Sequence, residues 1–173
     1  MKTLFASLLA LATLAFTVSA ADVSVKITDV HLCCPKCVSG VKKAVATVTG
    51  VTAQIDQDEG DVTLTGPDTA TVQKATDALT DAGYFGKTTD TGIKISSETG
   101  AKGVKVSSLK ITGVHLCCGK CVKALGEALA TVPGVKANTA TKGAKDFEVT
   151  GEDFNDADVF AALQKAGLTG KVE

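Results

Sequence analysis

Apolar positions along the chain follow two rhythms. Val23, Val25 and Ile27 alternate with polar neighbours, as do Leu109 and Ile111, which is the period of a half-buried strand. Val38, Val41, Ala44, Val45 and Val48 step instead by threes and fours, as do Val122, Leu125, Ala128, Leu129 and Val132. Each set predicts an amphipathic helix of about three turns. Val51, Ala53 and Ile55, then Val62 and Leu64, alternate again around a turn at Glu59-Gly60, which predicts a hairpin. Asp68 is placed to cap a second helix carrying Val72, Ala75, Leu79 and Ala82, with Gly83 just past its end. Asn155 or Asp156 starts the corresponding helix of the second half, and Gly167 ends it. Short last strands are expected at about Phe85 to Thr89 and Leu168 to Val172.

The order recurs because the chain is one unit written twice. Ile27-Thr28-Asp29-Val30-His31-Leu32-Cys33-Cys34-Pro35-Lys36-Cys37-Val38 returns 84 residues later as Ile111-Thr112-Gly113-Val114-His115-Leu116-Cys117-Cys118-Gly119-Lys120-Cys121-Val122. Gly50-Val51 matches Gly134-Val135, and Ala82-Gly83 matches Ala166-Gly167. Two units are too few to share a solenoid core, so each is expected to fold as a small domain of its own. The fold class is therefore α+β: two ferredoxin-like βαββαβ domains in tandem, each a four-stranded antiparallel sheet with two helices on one face. The first domain spans 21–89 and the second 108–173. Residues 90–107, rich in Gly, Ser, Thr and Lys, form a linker.

Residues 1–20 read differently. Lys2 precedes an apolar run from Leu4 to Val18, and Val18-Ser19-Ala20 supplies small residues for cleavage, the pattern of a signal peptide. The run is short for a bilayer span, and no later stretch is long enough, so the mature chain is expected without a membrane span. The protein is expected to be exported, to a periplasm or to the outside.

With 45% hydrophobic and 21% charged residues, the 173-residue chain has the composition of an ordinary globular protein. Its basic residues are all lysine, so guanidinium forks are absent, and with aromatics at 4% stacking platforms for nucleic acid are scarce. No nucleic-acid partner is expected.

The candidate chemistry is concentrated. All six cysteines and both histidines fall in two seven-residue windows, His31 to Cys37 and His115 to Cys121. Each window joins the first strand of its unit to the first helix. Cys34 with Cys37, and Cys118 with Cys121, have the spacing at which two sulfurs converge on one ion. The second of each pair lies in the helix's first turn, where free N–H groups favour thiolate. Thiolate is the form that binds soft metals.

Those residues resemble the heavy-metal-associated (HMA) domain of copper chaperones, metal-transporting P-type ATPases and the periplasmic mercury-binding protein. Gly83-Tyr84, followed by Phe85, also resembles that family's Gly-Tyr near the last strand. The resemblance implies binding and hand-over of a soft ion between solvent-exposed cysteine pairs, with Cys34, Cys37, Cys118 and Cys121 as ligands. Leu32 and Leu116 stand where the family carries a packing Met. Cys33 and Cys117, directly before each pair, would supply a third thiolate suited to trigonal Cu(I), Hg(II), Cd(II) or Pb(II). Alternatively they would give Zn(II) three sulfurs, with His or water fourth.

His31 and His115 are candidate additional ligands, with a loop-facing or capping role as the alternative. Lys36 and Lys120 would offset the charge of a thiolate–metal complex from its rim. Two other readings compete: a thiol-disulfide oxidoreductase using Cys34-Pro35-Lys36-Cys37 and Cys118-Gly119-Lys120-Cys121, and a structural protein stapled by disulfides. Each unit is too short for a thioredoxin fold, and no proline stands where one should face the redox pair. Asp56 to Asp61, with a passing likeness to a calcium loop, reads as a solvated turn. The reading is a non-enzymatic buffer or relay for a soft or transition metal ion, Cu(I) or Zn(II) foremost and Hg(II) next. One site is expected per domain, an ion shared between them is left open, and a metal donor or acceptor protein is an expected partner.

Overall fold

A computed structural model describes residues 21–173, so the expected export signal over 1–20 lies outside the described residues. The first repeat contains β1 (Val23–Ile27), α1 (Pro35–Val45), β2 (Thr52–Asp56), β3 (Asp61–Gly66) and α2 (Thr69–Asp81). The second contains β4 (Lys105–Thr112), α3 (Gly119–Leu129), β5 (Val135–Asn138), β6 (Asp146–Asn155), α4 (Asp156–Lys165) and β7 (Lys171–Val172). Two antiparallel sheets result, ordered β1-β3-β2 and β5-β6-β4-β7. The second order, with its two crossover helices, is similar to the ferredoxin-like arrangement. Among the described residues, no helix is long and apolar enough to cross a membrane.

Local chemistry accounts for most boundaries. Asp68 caps α2 by accepting from the Thr71 N–H at 2.7 Å, and Asn155 caps α4 by accepting from Ala157 at 2.9 Å. Gly83 and Gly167 follow the helix ends with φ of +87° and +75°, the left-handed conformation that glycine adopts without strain. The apolar stripe of α1 buries Cys37, Val41, Ala44 and Val45, and that of α3 buries Cys121, Leu125 and Leu129. Leu32 and Leu116 are buried beneath the cysteine loops, as packing residues should be.

The last strands depart from expectation. Phe85 to Thr89 does not form one, and its place is held by a single bridge between Thr28 and Lys87. In the second repeat only Lys171–Val172 pair with β4. The cause is competition for backbone partners. Tyr84 pairs with Leu168 across the repeats, Phe85 N–H donates to Gly167 C=O at 3.0 Å, and Thr169 N–H donates to Gly83 C=O at 3.1 Å. Both segments thus divide between their own sheet and the other repeat.

The stretch 90–107 is also more than a connector. Lys105 to Ser107 already belong to β4. Gln73 on α2 pairs with Lys94 through two hydrogen bonds of 2.8 Å to its backbone. Ser97 meets Thr169 at 2.7 Å, Val172 N–H donates to Thr99 C=O, and the N–H groups of Lys102 and Val104 donate to the Asp156 carboxylate at 2.9 Å each. Ile93 is buried. The segment straps the first repeat to the second.

Candidate metal centre

Each cysteine loop leaves the end of a first strand and enters a helix, with Cys34 and Cys118 as the extended N-cap residues of α1 and α3. Cys37 and Cys121 follow in the first turns, their N–H groups donating to the Cys34 and Cys118 carbonyls. The cross-repeat hydrogen bonds then turn the two loops to face each other. His31 N–H donates to Gly167 C=O at 3.3 Å, which seats one loop on the opposite repeat's helix end.

All six sulfurs consequently meet in one cluster rather than in two separate sites. Across the repeats, Cys33 lies 3.4 Å from Cys118 and 3.5 Å from Cys121. Cys37 lies 3.5 Å from Cys117 and 3.9 Å from Cys121, and Cys34 lies 3.6 Å from Cys117. Within the repeats, Cys37 stands 3.7 Å from Cys33 and 3.8 Å from Cys34, while Cys121 stands 3.8 Å from both Cys117 and Cys118. Cys33–Cys34, Cys34–Cys118 and Cys117–Cys118 are within 4.8 Å. These twelve separations are the edges of a distorted octahedron whose opposite corners are Cys33/Cys117, Cys34/Cys121 and Cys37/Cys118. All six are free thiols. Cys37 and Cys121 are buried, against the expectation of solvent-exposed pairs, because each helix start is covered by the facing repeat.

The six thiols are not alike in acidity. The Cys37 thiol donating to Cys121 holds Cys121 well below the ordinary thiol range against the opposing effect of burial, with His31 adding to the effect. Cys37 is pushed up by the neighbouring Cys121 and by burial. Burial raises Cys33, with Cys118 and Cys121 reinforcing it, and burial also raises Cys117, to about 12. Cys34 is lowered to about 6: burial opposes ionisation, but the Cys37 N–H, the Cys117 thiol and the Lys36 N–H outweigh it. The Cys34 sulfur makes no side-chain cap hydrogen bond, so the helix-start N–H groups act on it as a field. At neutral pH the metal-free cluster thus mixes thiolates at Cys34 and Cys121 with thiols at Cys33, Cys37 and Cys117.

The candidate residues outside the sulfurs separate. A ring nitrogen of His31 lies within 4.8 Å of the Cys33 and Cys121 sulfurs. His115 is drawn elsewhere: its ring stacks on Tyr84 at 4.5 Å, and its Nε2 lies 3.0 Å from the Tyr84 hydroxyl. That hydroxyl donates to the Cys37 carbonyl at 2.9 Å, so it accepts from His115 Nε2–H. Burial lowers the His115 pKa, in keeping with a neutral ring, and raises that of Tyr84. Tyr84 escaped the sequence reading as a site residue; its signal was that it is the only tyrosine of the chain. Gly40 makes room for it, because a Cβ there would run into the Tyr84 hydroxyl. Lys36 and Lys120 are exposed at the helix starts. The Asp56 turn is a local one, its carboxylate accepting from the Asp58 and Glu59 N–H groups.

No family model matches the chain, and no curated protein matches it either. Among solved structures it is similar to the N-terminal soluble domains of Bacillus subtilis CopA, with TM-score 0.34 and 15% identity over 89% of this chain and 95% of that one. It is also similar to the first two RRM domains of yeast poly(U) binding protein Pub1, with TM-score 0.27 and 9% identity over 87% of this chain and 97% of that one. At those scores neither likeness bears on chemistry.

Proposed function

We propose that this protein binds soft monovalent d10 ions, Cu(I) foremost, as a thiolate cluster in one pocket between its repeats. The observation that carries the reading is the convergence of six sulfurs at spacings set by both repeats. A triangle of sulfurs with edges of 3.5–3.9 Å, as Cys33, Cys37 and Cys121 form, has its centre roughly 2.1 Å from each corner. That is slightly inside a metal–thiolate bond of about 2.3 Å, so an ion fits close to the plane of the face. A linear two-sulfur site would need its sulfurs about 4.6 Å apart, twice that bond.

Three-sulfur faces therefore suit the nine contacts of 3.4–3.9 Å better than pairs. Alternate faces of the octahedron are Cys34/Cys37/Cys117, Cys117/Cys118/Cys121, Cys33/Cys34/Cys118 and Cys33/Cys37/Cys121. Each sulfur belongs to two of them, so four ions and six bridging thiolates complete one another with a net charge of −2. Exposed Lys36 and Lys120 stand at the rim to offset it. Two Zn(II) ions would leave the same charge, but tetrahedral sites need sulfurs in mutually adjacent fours. The nine contacts of 3.4–3.9 Å join them only in threes.

The chemistry is storage or hand-over of the ion without bond-making on a substrate. The leader-like residues 1–20 support action outside the cytoplasm, periplasmic or secreted, with a metal donor or acceptor protein as partner. Anaerobic Cu(I) titration of the reduced chain, followed by native mass spectrometry, tests the reading. A species with four ions is expected, lost when Cys34→Ser and Cys118→Ser are combined. Saturation at one ion per repeat would contradict a shared pocket, and no binding would remove the metal reading altogether.

A further inference from the structure

The two histidines occupy equivalent positions 84 residues apart, yet they meet different surroundings. His115 Nε2 donates to the Tyr84 hydroxyl, which is itself anchored on the Cys37 carbonyl. The residue matching Tyr84 in the second repeat is Leu168, its partner in the cross-repeat bridge. Leucine offers no hydroxyl, and the buried Nε2 of His31 has no hydrogen-bond partner. A buried imidazole nitrogen left without a partner is disfavoured unless something binds there. What stands beside the ring is a pair of sulfurs, Cys33 and Cys121, each with a donor atom within 4.8 Å of a His31 nitrogen.

The space outside the ring differs as well. His31 and Cys33 line an open cavity of about 500 Å³ together with Asp58, Glu59, Lys87 and Lys165. The matching cavity beside His115, about 390 Å³, is walled mainly by small and apolar residues such as Val114, Leu116 and Ala144. Water and carboxylates are therefore at hand on the His31 side, where a fourth ligand of a four-coordinate ion would sit.

We propose that His31, Cys33 and Cys121 form a second kind of site, one nitrogen and two sulfurs, for a single borderline divalent ion of the Zn(II) class, and that His115 is not a ligand. The proposal rests on reading these thiolates as metal ligands and adds a selectivity to it. Imidazole suits Zn(II), whereas the all-sulfur faces suit Cu(I). Because Cys33 and Cys121 serve both, the divalent ion and the full complement of Cu(I) exclude each other.

The test uses the reduced full chain labelled with 15N-histidine. One equivalent of Zn(II) is expected to move the ring-nitrogen resonances of His31 by tens of ppm and leave those of His115 in place. Four equivalents of Cu(I) should then release the Zn(II) to a chromogenic chelator. In variants, His31→Ala is expected to weaken Zn(II) binding by more than the about 10–100-fold that supporting residues cost, with Cu(I) capacity unchanged, while His115→Ala leaves Zn(II) affinity intact. Unmoved His31 resonances with normal Cu(I) uptake would overturn this site alone. Loss of Cu(I) uptake as well would overturn the cluster on which it rests.

Discussion

Gly167→Ala puts the repeat interface to the test. Gly167 ends α4 with φ of +75°, and a Cβ there would stand 2.5 Å from both the Asp29 carbonyl oxygen and the His31 nitrogen of the other repeat. Those are backbone atoms, so relief requires the segment leading into the first cysteine loop to move away. Left-handed backbone costs alanine about 1–2 kcal/mol. Loss of the His31 N–H to Gly167 C=O bond adds about 1 kcal/mol. Before any loss of packing the variant should thus be about 2–3 kcal/mol less stable. Gly143→Ala is the control: its φ is +82°, but nothing lies within 4 Å of the new Cβ, so only the backbone strain remains. Urea unfolding of both variants reads the difference, and Cu(I) titration reads whether the moved loop still closes the cluster. Equal destabilisation of the two variants, or an unchanged Cu(I) capacity in Gly167→Ala, would refute the claim that this contact aligns the sulfurs.

Tyr84→Phe removes the acceptor of His115 Nε2–H and the donor to the Cys37 carbonyl, and should destabilise the chain by about 1–3 kcal/mol in urea unfolding; a change under about 0.5 kcal/mol would contradict the network. In the metal-free reduced chain, peptide-resolved alkylation of Cys34 should follow a titration with a midpoint near pH 6, the value to which its pKa is lowered. Cys33, Cys37 and Cys117 are held as thiols at neutral pH, so filling the cluster with Cu(I) at pH 7 should release at least three protons into a weakly buffered indicator solution, and affinity should rise with pH. The Asp156 carboxylate is opposed by burial yet held below its ordinary value by the Lys102, Val104 and Ala157 N–H groups. A depressed carboxylate stabilises the fold above its unfolded pKa and loses that effect as pH falls through the folded value. Asp156→Asn should therefore lower the urea midpoint at pH 7, with the gap to the unsubstituted chain starting to close only below about pH 4 and vanishing once pH falls below the depressed folded value.

The parts of this architecture that could be read from residues alone are those encoded locally. The offset between His31 and His115 exposes the duplication, three- and four-residue steps mark α1 and α3, and Asp68, Asn155, Gly83 and Gly167 mark helix ends. The clustering of cysteines at two strand-to-helix junctions marks the candidate ligands. Convergence of the junctions was not legible, because it depends on which edge each short final segment pairs with. Alternation says that a segment is extended but not whose neighbour it is, and Tyr84 and Leu168 pair with each other instead of prolonging their own sheets. The unequal histidines were hidden for the same reason, since Tyr84 reaches His115 only across the interface. Composition likewise marked 90–107 as a linker. Its Lys94 backbone reaches back to Gln73 of the first repeat, while its other Ser and backbone groups find Gln164, Thr169 and Asp156 only once the second repeat is in place.

The most direct measurement of the central claim is copper K-edge X-ray absorption on the full chain loaded with Cu(I). Ions on alternate faces of an octahedron, nine of whose twelve edges measure 3.4–3.9 Å, should each see three sulfurs at about 2.3 Å and further copper atoms at roughly 2.5 Å, two-thirds of such an edge. Copper bound by two sulfurs in a line, with no copper neighbour, would contradict it.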